Sequence, residues 1–135
     1  MNAASNKKLM HDIFAELAQG NREPFRNALA EDFSWTIMGR TPWSRTYRGR
    51  DEVREKLFGP LFAQFADEYR NTAIRFIAED EYVVVECRGR VTTKSGKPYN
   101  NEYCYIVRLE GGKLRELTEY MDTELVNSTL SPPAS

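Results

Sequence analysis

The 135-residue chain has a single His, His11, and only two Cys, Cys87 and Cys104. These cannot complete a four-ligand zinc site, and no Cys-x-x-Cys spacing exists, so a metal built on nitrogen or sulfur ligands is not expected. Lys and Arg number nineteen against twenty Asp and Glu, a formal charge of −1. That lacks the basic excess that contact with a phosphate backbone demands, and no nucleic-acid partner is expected. No apolar run approaches the ~20 residues of a bilayer span. The start of the chain, polar and then amphipathic, is unlike the unbroken apolar core of a signal peptide. The expectation is therefore a protein of the cytoplasm with no membrane partner, its two thiols reduced. What the chain does have is sixteen aromatics (seven Tyr, seven Phe, two Trp). At this length one core forms without disulfides or a structural metal.

Leu9, Met10, Ile13, Phe14 and Leu17 recur with a 3.6-residue period before Gly20-Asn21, which predicts a helix over 6–19. Pro24 suits the first turn of a short second helix over 23–29. Phe33, Trp35 and Ile37 alternate with Ser34, Thr36 and Met38 as in a strand over 32–39, and 40–47, around Pro42, Trp43 and Ser44, reads as a loop. Val53, Leu57, Leu61, Phe62 and Phe65 return to helical spacing, interrupted by Gly59-Pro60, which predicts a kink or a split. The rest reads as strands over 69–78, 82–93, 99–110 and 113–122. Turn residues at 79–81, 94–97 and 111–112 join them into an antiparallel meander. The tails 1–5 and 128–135, the latter with Pro132-Pro133, read as frayed. Helices followed by a meander indicate α+β, with helices on one face of a curved sheet.

This order of elements, with Tyr47-x-Gly49-x-x-x-Val53, Gly96-Lys97-Pro98-Tyr99-Asn100-Asn101 and Gly112-Lys113-Leu114-x-x-x-x-Glu119-Tyr120-x-Asp122, resembles the nuclear transport factor 2-like superfamily, in its SnoaL-like and ketosteroid isomerase-like branch. The resemblance covers residues 6–127 as a single domain. It implies a cone-shaped half-barrel, mostly antiparallel, that encloses a pocket, often in a homodimer, and a small hydrophobic molecule as partner. It leaves function open, because the superfamily spans isomerases, cyclases, hydrolases and adaptors.

Within such a cone, alternation selects the inward side chains. Leu117, Glu119 and Met121 share one face of the last strand, and Asn101, Tyr103 and Tyr105 share one face of its partner. A carboxyl among apolar and aromatic groups acquires a raised pKa suited to acid/base work near neutrality, which makes Glu119 the first candidate; an internal hydrogen bond or salt bridge is the structural alternative. Tyr103 and Asn101 would donate to developing negative charge on oxygen. An ungapped comparison with the limonene-epoxide hydrolases places Glu119 at an active-site Asp, and Glu86 and Arg88 at that family's Arg and second Asp. The resemblance thus adds Glu86 and Arg88 to the catalytic candidates. The chain's own pattern reads the other way, because Val83, Val85, Cys87 and Val91 form an apolar face that would leave Glu86 and Arg88 outside. Trp35 and Ile37 stand where the hydrolases carry the Tyr and Asn that position water, and Ile37 also where ketosteroid isomerases have their basic Asp. Trp35, Ile37, Trp43, Asn101, Tyr105, Leu117 and Met121 are the candidate ligand-binding residues, with Trp43 over the pocket mouth; an aromatic stripe of this kind also serves as plain core. No cofactor is called for. The functional expectation is binding of a hydrophobic, cyclic or carbonyl-containing metabolite, with cofactor-independent acid/base chemistry of the isomerase, cyclase or hydrolase type. The alternatives are a non-catalytic binding or sensing module and a dimerising interaction protein whose cone is filled by its own side chains.

Overall fold

The structure is a computed structural model that describes residues 2–133. Helix α1 (Ala3–Leu17) begins three residues before the predicted start at residue 6, because Asn2 caps it. The Asn2 side chain accepts from Ser5 N at 2.9 Å while Asn2 N donates to Ser5 Oγ at 3.0 Å, a reciprocal box that satisfies two otherwise orphaned donors. Residues 3–5 are thus helical and not frayed. Helix α2 (Glu23–Ala28) follows with Pro24 in its first turn and runs directly into β1 (Leu29–Ile37). The predicted loop contains a short strand, β2 (Thr46–Arg48), which pairs antiparallel with β1.

The Gly59-Pro60 interruption takes a specific form. Helix α3 (Arg50–Glu52) passes into a π-helical segment (Val53–Phe58) and then into α4 (Gly59–Phe62). Gly59 N donates to Arg54 O, five residues back, and Pro60 has no N–H with which to restore the α ladder. The widened turn swings Phe58 and Phe62 under the sheet, where their rings lie 5.8 Å apart.

Strands β3 (Arg70–Glu79), β4 (Tyr82–Arg90), β5 (Glu102–Glu110) and β6 (Lys113–Met121) form the meander. Gly111 and Gly112 both have positive φ, as the two-residue turn between β5 and β6 requires. The sheet order is β2-β1-β6-β5-β4-β3, with β1 parallel to β6 and every other pair antiparallel. The N-terminal helices pack on one face of this six-stranded mixed sheet. That face and α1 share a core in which Met10, Phe33, Val83, Val85, Val107 and Leu114 have no exposed surface, each large side chain contributing about 1.5–3 kcal/mol by burial.

The C-terminal segment also departs from expectation. Helix α5 (Thr123–Thr129) is capped by Asp122, and Leu130 behind it is buried. Ser131 donates its N–H to Gln64 Oε1 at 2.9 Å and accepts from Gln64 Nε2 at 2.9 Å and Trp43 Nε1 at 3.2 Å. Residues 128–131 are therefore tied to the body of the domain, while Met1, Ala134 and Ser135 of the predicted tails lie outside the described residues. Among those described, no helix is long and apolar enough to cross a membrane.

Candidate functional site

The curved sheet and the 50–62 helical stretch enclose an interior cavity with Glu119 in its wall. Glu119 is placed by two pairings. Its β6 position lies opposite Tyr105 on β5 and beside Ile37 on parallel β1, so the carboxyl emerges between an aromatic ring and a branched aliphatic side chain. The parallel pairing also sets Trp35 beside Leu117, one inward position earlier, and from there the indole Nε1 donates to Glu119 Oε1 at 2.9 Å. Glu119 is 8% exposed and has no cationic partner among the described residues. Burial pushes its carboxyl from 4.5 up to about 7, against which the Trp35 hydrogen bond acts to lower it. Because an indole N–H can only donate, Oε1 acts as acceptor in both protonation states. Oε2 makes no hydrogen bond among the described residues and is the oxygen left free to exchange a proton.

Four tyrosines face the same space: Tyr69, Tyr99, Tyr103 and Tyr105. Burial pushes all four phenols up, Tyr99 to about 12, so each remains a hydrogen-bond donor at any physiological pH. The Tyr103 and Tyr105 rings are 5.2 Å apart, and the Tyr105 ring is 5.8 Å from Trp35 at 77°. Gly89 makes room for this cluster: a Cβ there would come within 2.8 Å of Tyr69 Oη and 2.9 Å of Tyr103 Cε2. Phe58 and Phe62 cover the group from the helical side, and Val126 and Leu130 from the C-terminal segment. Trp43 is 3% exposed and also lines the cavity, its backbone carbonyl accepting from Tyr47 Oη at 2.9 Å. The enclosed volume leaves about 70 Å³ for the centres of water-sized molecules, room for several waters.

Of the candidate residues, Glu119, Tyr103, Tyr105, Trp35, Ile37 and Trp43 are brought together on this wall. Five others are placed elsewhere. Glu86 lies on the outer face of β4, where it pairs with Arg75 at 2.8 Å, and Arg88 points the same way, 3.9 Å from Glu102. Val83, Val85 and Cys87 take the inward positions of β4, and burying the charged set in their place would require desolvating three or more ions. Asn101 is fully buried but committed to holding strand ends: Nδ2 donates to Tyr99 Oη and Asp122 O, both at 3.1 Å, and Oδ1 accepts from Glu102 N at 2.8 Å and Asp122 N at 3.0 Å. All four of its hydrogen-bonding positions are used, so it has none to offer an oxyanion. Leu117 is buried core that does not line the cavity, and neither does Met121 at the end of β6.

Sequence reasoning did not single out Tyr69, Tyr99, Phe58, Val126 or Leu130, and it read Phe62 only as an apolar helix position, not as part of the site. Phe58 was hidden because the helical period assumed 3.6 residues per turn through a segment that is π-helical. Cys87, buried under the sheet, has its thiol pushed up by burial, which leaves it protonated and unreactive.

The SnoaL-like domain family model matches residues 10–117. No curated protein matches the chain. Among solved structures, it is similar to a protein from a soil-derived mobile gene cassette (17% identity, TM-score 0.81, covering 96% of this chain and 98% of that one). It is also similar to an NTF2-like protein of unknown function from Burkholderia pseudomallei (22% identity, TM-score 0.77, 93% and 98%). A third is TerC, co-crystallised with polyporic acid (18% identity, TM-score 0.75, 91% and 95%). At these identities the likeness is one of fold, and it agrees with the cone of helices and curved sheet described above.

Proposed function

The chain belongs to the SnoaL-like domain family, and on that premise we propose that it binds a small hydrophobic, cyclic or carbonyl-containing metabolite in the aromatic cavity and moves a proton on it with Glu119, without a cofactor. The observation that carries the proposal is a buried carboxyl poised near pH 7, one oxygen held by Trp35 and the other unpartnered beside tyrosine donors. A general base or acid works best when its pKa matches the working pH. Ionised Glu119 takes a proton from carbon next to a carbonyl, the charge moves to the carbonyl oxygen, and the Tyr103 hydroxyl, fixed in its protonated state, donates to that oxygen. Return of the proton from Oε2 to another atom of the same ligand completes an isomerisation or ring closure. TerC, which shares the fold, is co-crystallised with polyporic acid, which supports a small molecule as the ligand.

Solvent-deuterium exchange tests this directly. Cyclic ketones and polyketide-like β-dicarbonyls are incubated with protein in D2O, and label entry next to the carbonyl is followed by NMR. Acceleration that rises through about pH 7 and disappears in Glu119→Gln is expected; acceleration that persists in that variant refutes the role of Glu119. The filled-cone reading is favoured by the small free volume between Phe58, Phe62 and the tyrosines, and on that reading no compound binds or exchanges. The homodimer belongs to the same proposal. Ile77, Val84 and Ile106 form a cross-strand apolar row on the outer sheet face, with Ile77 58% exposed and Tyr120 43% exposed nearby, and a second copy would cover it.

A further inference from the structure

Beyond the Trp35 and Tyr105 rings lies a second chamber that no part of the mechanism above uses. Phe14 and Leu17 of α1 and Phe25 of α2 form its outer wall, and it leaves about 60 Å³ for the centres of water-sized molecules. Trp35, Phe58, Phe62, Tyr69 and Tyr105 border both spaces, so a partition of rings, two of them supplied by the π-helical segment and α4, separates them.

Two polar groups on this chamber lack partners. The first is Arg22, in the turn between α1 and α2. Its guanidinium lies 3.9 Å over the Phe62 ring and forms no ion pair among the described residues. The acidic side chains that share a surface recess with it are engaged elsewhere: Asp67 accepts from Thr92 N at 2.8 Å and Glu68 pairs with Arg70 at 3.3 Å. Burial, and then repulsion from Arg26, which also borders the chamber, hold the Arg22 pKa below its ordinary value. A half-buried guanidinium that forms no ion pair and lies near a like charge has hydrogen-bonding capacity left for an anion. The second group is Asn71 on β3, 2% exposed. Its Nδ2 reaches Tyr69 Oη at 3.3 Å and Tyr105 Oη at 3.4 Å, but its Oδ1 is buried with no hydrogen-bond partner. A native interior rarely leaves an acceptor in that state without a use for it.

We propose that this chamber is an anion subsite: Arg22 takes a carboxylate or enolate oxygen of an aromatic ligand whose ring packs on Phe25 and Phe58, with the Asn71 amide, beside the Tyr69 and Tyr105 hydroxyls, as the other polar group of its lining. The planar guanidinium fork matches the two oxygens of a carboxylate, and the ring walls select a flat apolar body. The subsite rests on the reading that the interior admits a ligand. It narrows the substrate class from neutral cyclic carbonyl compounds to aromatic acids and acidic enols, with the charged end at Arg22 and the ring reaching toward the partition that faces Glu119.

The test uses two probes of nearly equal shape, 2-naphthoate and the uncharged 2-acetylnaphthalene, titrated against the full chain by ligand-observed NMR. Arg22→Met keeps an apolar stem over Phe62 and removes the charge. It is expected to weaken 2-naphthoate by roughly tenfold or more, the usual worth of a hydrogen-bonded charge, while 2-acetylnaphthalene changes by less than about twofold. Arg22→Lys, which keeps the charge without the fork, is expected to fall between, and Arg40→Met on the exposed loop to leave both probes unchanged. Arg22→Gln carries the same test should the Met variant unfold. Equal affinities in wild type and variant for both probes, or an equal loss for both, overturn the anion subsite and leave the ligand-binding cavity standing. Failure of 2-naphthoate alone to bind wild-type protein overturns the subsite, and failure of both probes overturns it together with the reading on which it rests.

Discussion

Replacing Glu119 by Gln should change the pH dependence of folding stability in a calculable way. The carboxyl titrates at about 7 in the folded protein, against 4.5 when solvated. Between these values the native state holds a proton that the unfolded chain has released, so stability falls as pH rises. Below pH 4.5 the group is neutral in both states and contributes no pH dependence; above about 7 the full penalty of an ionised carboxyl in an apolar wall is present. A shift of that size corresponds to roughly 3 kcal/mol. Gln keeps the shape and still accepts from Trp35 Nε1 through its amide oxygen, but it does not ionise. The difference in unfolding free energy, Glu119→Gln minus wild type, should therefore rise by up to about 3 kcal/mol in favour of the variant between pH 4.5 and pH 8. Urea titrations of both proteins at half-unit pH steps measure it, and titrations common to both cancel in the difference. A difference that stays flat across that range would show that Glu119 is not a desolvated carboxyl and would remove the basis for its acid/base role. A result in that direction also has a functional meaning, since a residue whose removal stabilises the fold at working pH is retained for something other than stability.

Two further outcomes follow from the geometry. Asn101→Ala removes a side chain that joins Tyr99, Glu102 and Asp122 through four hydrogen bonds and leaves buried groups unpaired; urea denaturation should show a loss of about 2–4 kcal/mol, and a loss under about 1 kcal/mol would contradict the strand-tying role. Ile77→Lys, on the 58% exposed outer-face position, should convert a dimer to monomer in light scattering with little change in the monomer's far-UV circular dichroism, whereas a wild type that is monomeric at high micromolar concentration would refute the dimer.

Glu119 was legible because two local signals agreed, strand alternation and apolar neighbours at 117 and 121, both beyond the register shift at Arg108/Leu109 that separates this stretch from the turn. Glu86 and Arg88 show the opposite case. Their strand alternates cleanly, and the apolar set Val83, Val85 and Cys87 pointed inward, but an alignment of charges with a distant family suggested the reverse; desolvation favours the local pattern, and the Arg75 and Glu102 pairs outside complete it. Asn101 had the parity of an inward residue, yet β5 begins one residue later, so parity did not apply and its amide became a clasp between strand ends. In β3 the register shifts between Ala73 and Arg75, so face assignments from alternation fail across that bulge.

By itself the sequence determined the α+β architecture, the break at Gly59-Pro60, the meander and the placement of one carboxyl among apolar side chains, all through periodicities and turn residues that act over a few positions. Tertiary structure alone decided the site. The Trp35 to Glu119 bond spans 84 positions and exists only because β1 runs parallel to β6. The π-helical turn carries Phe58 beneath the sheet, the C-terminal segment closes the cavity with Val126 and Leu130, and Arg22, unremarkable in a polar turn, comes to stand over Phe62 at the mouth of a second chamber. These are contacts between distant segments, set by how whole elements pack, and no local pattern encodes them.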